Sequence, residues 1–179
     1  MTKKIRFLCL ILLAAFGQCQ KSHDVISTNI TLTRFYLWTR ANPTVEQELI
    51  WGDLSSLSDS NFNSSLPTKV LVHGCTGNGK QQWVLNTRDN YLSQGNYNIL
   101  SVDYAPLAEC FPWYGIAVAN IKKIGPYVGQ LLRLMTENLQ VSANNIHLVG
   151  WSLGGQLVAF IGQEMNGTLS RITSLDPAG

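Results

Sequence analysis

Two kinds of apolar pattern alternate along residues 69–175. The first is a run of five to seven residues rich in β-branched and leucine side chains, found at residues 69–73, 97–103, 145–150 and 171–175. Such runs predict buried strands. The second places apolar side chains three and four residues apart, found at residues 81–94, 114–138 and 153–165, and predicts helices. Because strands alternate with helices, we predict an α/β fold with a mostly parallel sheet and helices on both faces.

Before residue 69 the pattern is less regular. Residues 29–40 (NITLTRFYLWTR) are rich in threonine, aromatic and β-branched side chains and predict a strand, which Asn42-Pro43 ends with a turn. Residues 53–67 are dense in Ser, Asn and Asp and predict a loop. Within the helix predicted at 114–138, Gly125-Pro126 interrupts the pattern. Because proline lacks an N–H, we expect a kink there, or a new helix with Pro126 in its first turn.

Residues 1–19 have the three parts of a secretory signal peptide. The basic start contains Lys3, Lys4 and Arg6, and the apolar run spans residues 7–16 (FLCLILLAAF). The small residues that suit cleavage are Gly17 and Cys19. The apolar run is shorter than the ~20 residues of a membrane-spanning helix. An uncleaved signal anchor is the alternative. We predict a signal peptide at residues 1–19 and an extracellular, secreted domain at residues 20–179, with no later transmembrane segment.

The charge balance excludes a nucleic-acid-binding surface. The chain has 13 basic and 11 acidic residues, a net charge of +2. Three of the basic residues lie in the signal peptide, so ten basic and eleven acidic residues remain after its removal. No basic stripe remains to bind a phosphate backbone.

Cysteine and asparagine positions agree with export. Of the four cysteines, cleavage after Cys19 removes Cys9 and Cys19 and leaves Cys75 and Cys110. In an oxidising compartment such a pair predicts a disulfide; the alternatives are two free thiols, or pairing with cysteines outside this chain. Three triplets also match the N-glycosylation acceptor pattern, at Asn29, Asn63 and Asn166.

The strongest chemical signal is a G-x-S-x-G pentapeptide, Gly150-Trp151-Ser152-Leu153-Gly154. A predicted buried strand leads into it and a predicted amphipathic helix leads out, which is the setting of a nucleophile elbow. The turn is so sharp that side chains two residues before and after the serine would collide, which favours glycine at both places. The alternative is a serine in an ordinary strand-to-helix turn. We predict that Ser152 is a nucleophile.

A serine nucleophile needs a base and an orienting acid. Asp176 ends the next predicted strand, 24 residues after Ser152, so both side chains should emerge at one sheet edge. An aspartate before proline is also a common turn residue. The oxyanion hole of such a site uses the N–H after the nucleophile and one from a loop after a neighbouring strand; Leu153 and Cys75 would supply them.

The three histidines all precede Asp176. His23 lies in the N-terminal tail, and His147 lies inside a strand about five residues before Ser152, which favours a structural role. His73 precedes the loop of Cys75. We expect it to hold that loop by hydrogen bonds, although its strand should lie beside that of Ser152, which leaves a role as base open.

These motifs resemble the N-terminal part of the animal pancreatic lipase family, insect type, a group that includes secreted phospholipases A1. The matching stretches are FYLWTR at 35–40, SNFNSSLPTKVLVHG at 60–74, SVDY at 101–104, IHLVGWSLGG at 146–155 and SLDPAG at 174–179. The resemblance implies an α/β-hydrolase fold, Ser152 as nucleophile, Asp176 as triad acid, and the N–H groups of Cys75 and Leu153 as oxyanion donors.

The chain departs from the family pattern at Trp151, where the family has histidine, at Gly155, where it has alanine, and at Cys75, where it has a bulky apolar residue. The resemblance also places the triad histidine, the lid and the calcium ligands after Asp176. Only three residues follow Asp176 here, so we expect an incomplete domain, no cofactor in this chain, and no normal turnover by residues 20–179 alone.

Two functions are expected from this pattern. The first is a secreted serine hydrolase that cleaves lipid esters at a lipid–water interface through an acyl-enzyme, with triacylglycerol and phospholipid as competing substrates. The second is a non-catalytic lipase-like protein that binds or stores lipid, as the related yolk proteins do. The presence of both Ser152 and Asp176 favours the first.

Overall fold

A computed structural model describes residues 26–179. Residues 1–25, which contain the predicted signal peptide, His23, Cys9 and Cys19, lie outside the described residues. The described chain contains six strands and four α-helices. The strands are β1 (Arg34–Trp38), β2 (Gln47–Leu49), β3 (Thr68–Val72), β4 (Asn98–Asp103), β5 (Ile146–Trp151) and β6 (Arg171–Leu175). The helices are α1 (Leu54–Ser58), α2 (Gln82–Gln94), α3 (Tyr114–Asn138) and α4 (Leu153–Glu164).

The strands form one sheet in the order β2-β1-β4-β3-β5-β6. Strands β4, β3, β5 and β6 are parallel, whereas β1 is antiparallel to both β2 and β4. The predicted α/β-hydrolase class, with a mostly parallel sheet, is therefore confirmed. The four parallel strands all end at one edge of the sheet, where the predicted site residues lie.

Helices cover both faces of the sheet because side chains alternate between the faces along each strand. On one face, Val70, Val72 and Leu148 pack with α3 and α4. On the other face, Leu71, Trp38 and Val149 pack with α2 through Val84 and Leu92. A strand buried on both faces has no polar alternation, which explains the continuous apolar runs.

The N-terminal region differs from its prediction in three respects. Strand β1 begins at Arg34, and a 3₁₀ turn at Ile30–Leu32 precedes it, with the Asn29 side chain accepting the Thr31 N–H at its start. The short strand β2 was not predicted, because it has one buried residue, Leu49, and owes its conformation to pairing with β1. Helix α1 lies within the predicted loop and begins at Asp53, whose side chain accepts the Ser55 N–H.

Helix α3 continues through Pro126, so the predicted alternative of a new helix at this proline was wrong, and a kink there stays a prediction. Proline leaves the carbonyl of Lys122 without its helical partner, but Lys122 is exposed, so water can satisfy that carbonyl. Gly125 and Gly129 let α3 pack closely against Phe160 and Glu164 of α4.

Candidate active site

The backbone at Ser152 is held in an unusual conformation between β5 and α4. Ser152 has φ 55° and ψ −120°, in a region that side chains other than glycine rarely adopt. Two hydrogen bonds join it to the chain after β6: its N–H donates to the Leu175 carbonyl at 2.9 Å, and its carbonyl accepts the Ala178 N–H at 3.2 Å. Such a strained and clamped serine matches the strand–turn–helix setting that the motif predicts.

The two motif glycines have no room for a side chain. A Cβ on Gly150 would overlap the carbonyl oxygen of Gly154, across the turn. A Cβ on Gly154 would overlap the carbonyl oxygens of Val72 and His73, at the end of β3. The turn therefore packs directly on the neighbouring strand, and glycine is required at both places.

Asp176 lies beside Ser152 at the sheet edge. Strands β5 and β6 pair with Trp151 opposite Leu175, so Ser152 and Asp176 each follow a paired residue by one position. Asp176 has φ 43° and an exposed side chain. Its carboxylate accepts no hydrogen bond from the residues that the structure describes, so it is free to accept one from a base.

The loop after β3 packs against the serine. A Cβ on Gly74 would lie 2.9 Å from the Cβ of Ser152 and 2.9 Å from the Trp151 carbonyl oxygen. Cys75 follows directly. Within residues 26–179, neither the Cys75 N–H nor the Leu153 N–H donates a hydrogen bond to another backbone or side-chain group. Leu153 is also the first residue of α4, whose N-terminus favours a nearby negative charge.

A disulfide joins Cys75 to Cys110, as the count of cysteines predicted, with their Cα atoms 5.6 Å apart. Cys110 lies after β4, the neighbour of β3. A hydrogen bond from the Thr76 N–H to the Ala108 carbonyl, at 2.8 Å, runs beside the disulfide. The loop that carries the Cys75 N–H is therefore tied to the segment after β4 at two successive residues.

His73 is fully buried, and both of its ring nitrogens are engaged. The Tyr104 N–H donates to Nε2 at 3.0 Å, so Nε2 is unprotonated and Nδ1 donates to the Gly74 carbonyl at 2.8 Å. The ring stacks on Tyr104 with centroids 4.1 Å apart, and the Tyr104 hydroxyl donates to the His73 carbonyl. These contacts fit the expected structural role and leave no nitrogen free to act as base.

His147 is the second buried histidine, at the opposite end of the sheet. Its Nε2 lies 2.9 Å from Thr173 Oγ1. Burial, followed by the positive charges of Lys69 and Arg171, lowers its pKa from 6.5 to about 4. His147 is thus a neutral side chain at pH 7, on a part of β5 five residues before Ser152, and the expectation of a structural role fits this position.

Two of the departures from the family pattern are accommodated locally. Trp151 is 41% exposed and meets Trp83 of α2 edge-on, at 6.3 Å between ring centroids. Gly155 leaves room for Ser174, whose hydroxyl donates to the Gly155 carbonyl at 2.7 Å. Neither residue removes a group that the predicted site needs.

A shallow apolar groove of about 300 Å³ begins at Leu153 and runs between α3 and α4. Its walls include Tyr114, Val118, Ile121 and Phe160. It therefore places apolar surface beside Leu153, the residue that follows Ser152.

The sequence did not point to Tyr104 or Gly74 as parts of the site. Tyr104 uses both its N–H and its hydroxyl to fix His73. The sequence did contain a clue to Tyr104: SVDY ends a predicted strand that pairs with β3, so Tyr104 lies at the sheet edge that carries the other predicted site residues. The three predicted glycosylation residues, Asn29, Asn63 and Asn166, are exposed, and their modification stays a prediction.

Residues 26–179 contain neither a cluster of metal-binding side chains nor a helix that could cross a membrane. Between residues 26 and 179, no three or more His, Cys, Asp and Glu side chains come together in a way that could hold a metal ion. None of the helices in the same range has the length and apolar character needed to cross a bilayer.

Comparison with known proteins places this geometry in a family. Residues 14–179 match the family "Lipase". Rabbit pancreatic triacylglycerol lipase is 36% identical over 149 residues, which cover 83% of this chain and 31% of the rabbit protein. Pancreatic lipase-related protein 2 of guinea pig is 32% identical, covering 82% of this chain and 33% of that protein. Inactive pancreatic lipase-related protein 1 of mouse is 34% identical, covering 81% and 30%. The chain thus spans about a third of the length of these relatives.

Proposed function

The chain belongs to the lipase family, and on that premise we propose that it carries the nucleophile and oxyanion hole of a serine hydrolase that cleaves lipid esters. The observation that supports this most directly is the meeting of Ser152, Asp176 and two unbonded backbone N–H groups at one edge of the sheet.

In the proposed reaction, Ser152 Oγ forms a bond to the acyl carbonyl carbon while its proton passes to a base. The carbonyl oxygen becomes an oxyanion that accepts hydrogen bonds from the N–H groups of Cys75 and Leu153. The C–O bond to the alcohol then breaks, and the base returns the proton to the leaving alkoxide. Water repeats the sequence on the acyl-enzyme and releases the fatty acid.

The base is assigned to a histidine that follows Asp176 in the intact enzyme, as the family resemblance implies. Asp176 would orient that histidine through its unoccupied carboxylate. His73 is not proposed for this role, because both of its ring nitrogens are bonded inside the protein. The expectation that residues 20–179 alone lack normal turnover therefore stays a prediction.

The groove between α3 and α4 suits the acyl chain of the substrate, because its walls are apolar. Its apolar walls begin at Leu153, so a chain lying there has its carbonyl near the proposed oxyanion donors. The name of the rabbit relative favours a triacylglycerol over a phospholipid. We also propose that the protein is secreted through residues 1–19 and works at a lipid–water interface.

The test is ester hydrolysis by the protein made from its complete coding sequence, with a triacylglycerol emulsion and a phospholipid as parallel substrates. Ser152→Ala should reduce kcat by a factor of about 10⁴ or more. Ser142→Ala is the matched control, because Ser142 is exposed and its hydroxyl makes no hydrogen bond in the described chain. Hydrolysis that persists in Ser152→Ala would contradict the assignment of the nucleophile.

A non-catalytic lipid-binding protein is the second candidate, because one relative of similar identity is named inactive. A fluorophosphonate probe separates the two functions. Labelling of the wild type that disappears in Ser152→Ala indicates a competent site. Lipid binding without labelling or turnover indicates the second function.

A further inference from the structure

The disulfide between Cys75 and Cys110 lies one residue from the contact between Gly74 and Ser152. Its Cys75 end carries the backbone N–H that the proposed function assigns to the oxyanion hole. We propose that Cys110 is a positioning residue, which holds this N–H in place through the disulfide, so that thiol reductants switch turnover down. The inference rests on the proposed function.

The two sides of the loop are held very differently. Upstream, His73 is buried and bonded to Tyr104 and Gly74, so the backbone enters the loop from a rigid place. Downstream, Thr76 has φ 52°, a left-handed conformation that costs free energy for a threonine. Within the described residues, the disulfide and the hydrogen bond from the Thr76 N–H to the Ala108 carbonyl are the only covalent and hydrogen bonds that tie Cys75 and Thr76 to the segment after β4.

Loss of the disulfide would therefore leave a strained residue held by one hydrogen bond. The Cys75 N–H lies between the rigid and the strained side, and rotation of the peptide between Gly74 and Cys75 turns it away from Ser152. Because the oxyanion exists only in the transition state, a misplaced donor lowers kcat and leaves KM almost unchanged. Complete removal of one such donor costs a factor of about 10²–10³, so displacement should cost about 10–100-fold.

The disulfide between Cys75 and Cys110 is accessible to thiol–disulfide exchange. Cys75 and Cys110 are both partly exposed, and Phe111, next to Cys110, is 85% exposed. A dithiol such as dithiothreitol reduces the bond by two successive exchanges: each thiolate attacks sulfur, the protein gains two electrons and two protons as two thiols, and the reagent becomes a cyclic disulfide. The sheet and the helices on both faces pack through apolar side chains, so we expect the protein to stay folded after reduction.

The experiment uses the protein from its complete coding sequence and a soluble short-chain p-nitrophenyl ester. The kcat and KM of wild type are measured oxidised, after dithiothreitol, and after reoxidation, with melting temperature followed in each state. Cys110→Ser is measured without reductant, so that reduction of other cystines does not enter the comparison. We expect a 10–100-fold lower kcat, with KM changed less than about threefold, in reduced wild type and in Cys110→Ser, and recovery of wild-type kcat on reoxidation.

Other outcomes overturn the proposal. An unchanged kcat in folded Cys110→Ser, or a loss that appears in KM alone, means that the disulfide does not position the donor. If Cys110→Ser fails to fold, reduction of the folded wild type carries the test, with tryptophan fluorescence as the check of folding. A wild type with no Ser152-dependent hydrolysis in the oxidised state would instead refute the proposed function, and this inference with it.

Discussion

The two ends of strands β3 and β5 carry one buried histidine each, and the two surroundings are opposite in kind. At the carboxyl end, His73 is bonded through both nitrogens and stacked on Tyr104, within 3.5 Å of the Asp103 carboxylate. At the amino end, His147 lies in register with Lys69 on one side and Arg171 on the other, and no acidic group contributes to its pKa shift. The first end is held by close backbone contacts, whereas at the second, among residues 26–179, the positive charges of Lys69 and Arg171 form no salt bridge with an acidic side chain.

This difference indicates what each end contributes. Lys69 and Arg171 lie two strands apart, on either side of the neutral His147, so their repulsion is weak. Lys69 also gains from its position over the rings of Tyr91 and Tyr97, at 5.3 and 5.1 Å. At the carboxyl end, Gly150 and Gly154 have no room for an added carbon because each lies against backbone carbonyl oxygens. We therefore expect changes of shape to act strongly at the carboxyl end, and changes of charge to act weakly but measurably at the amino end.

The largest effect should follow Gly154→Ala. The new methyl group would overlap the Val72 and His73 carbonyl oxygens, so α4 and β3 must move apart. We expect a loss of about 3 kcal/mol or more in the free energy of unfolding, measured by urea denaturation. Gly115→Ala is the control: it lies in α3 with open space around it and should be neutral or stabilising by up to about 1 kcal/mol. Equal effects of the two variants would contradict the close packing at the elbow.

The two histidines should differ when each is replaced by alanine at pH 8. His73→Ala leaves the buried Tyr104 N–H without a partner, removes one of the two hydrogen bonds to the Gly74 carbonyl and opens a cavity, so we expect a loss of about 2–4 kcal/mol. His147→Ala removes one hydrogen bond to the half-buried Thr173 and should cost about 1–2 kcal/mol. Denaturant midpoints of the two variants measure the difference, and a larger loss for His147→Ala would reverse the comparison.

Strands β3, β4 and β5 were predictable because they are buried on both faces, which leaves an apolar signal in each segment alone. Strand β6 is mostly exposed in the described chain. Strand β2 and helix α1 were not predictable, since β2 depends on pairing with β1 and α1 on the cap at Asp53. The close packing of Gly125 and Gly129 against α4 was also not predictable, because it joins distant parts of the chain.

At the site, the spacing of Ser152 and its glycines was informative because the elbow is a local backbone motif. Elimination among four cysteines pointed to the disulfide. The contacts of Tyr104 with His73 and of Gly74 with Ser152 join residues far apart in the sequence, and no local pattern encodes them. The row of Lys69, His147 and Arg171 depends on the register of three strands, which a single sequence does not reveal.

A smaller effect should appear in the pH dependence of stability. The pKa of His147 is about 4 in the folded protein and 6.5 without its surroundings. Between these values the unfolded chain binds more protons than the folded one, so stability is complete above pH 6.5 and falls as pH drops toward 4. His147→Gln does not titrate at this position. The two pKa values correspond to about 2.5 kcal/mol between pH 7.5 and 4.5. Because solvent screens part of this interaction, the free energy of unfolding of wild type should fall by about 1–2 kcal/mol more than that of the variant. Parallel curves for the two proteins would show that His147 does not have the lowered pKa.

The smallest effect tests the charges in the row one at a time. Burial lowers the pKa of His147 most, followed by the charge of Lys69 and then that of Arg171. Lys69→Gln should therefore raise the pKa of His147 by a few tenths, and Arg171→Gln by less, since charges at this distance interact weakly near the surface. The imidazole Cε1–H resonance, followed by NMR across pH 3–8, measures each value. Lys122→Gln is the control: Lys122 is an exposed residue of α3, on the other face of the sheet, and its replacement should leave the pKa of His147 unchanged. Equal shifts in all three variants would mean that the net charge of the protein, and not the row on β3, β5 and β6, sets the pKa of His147.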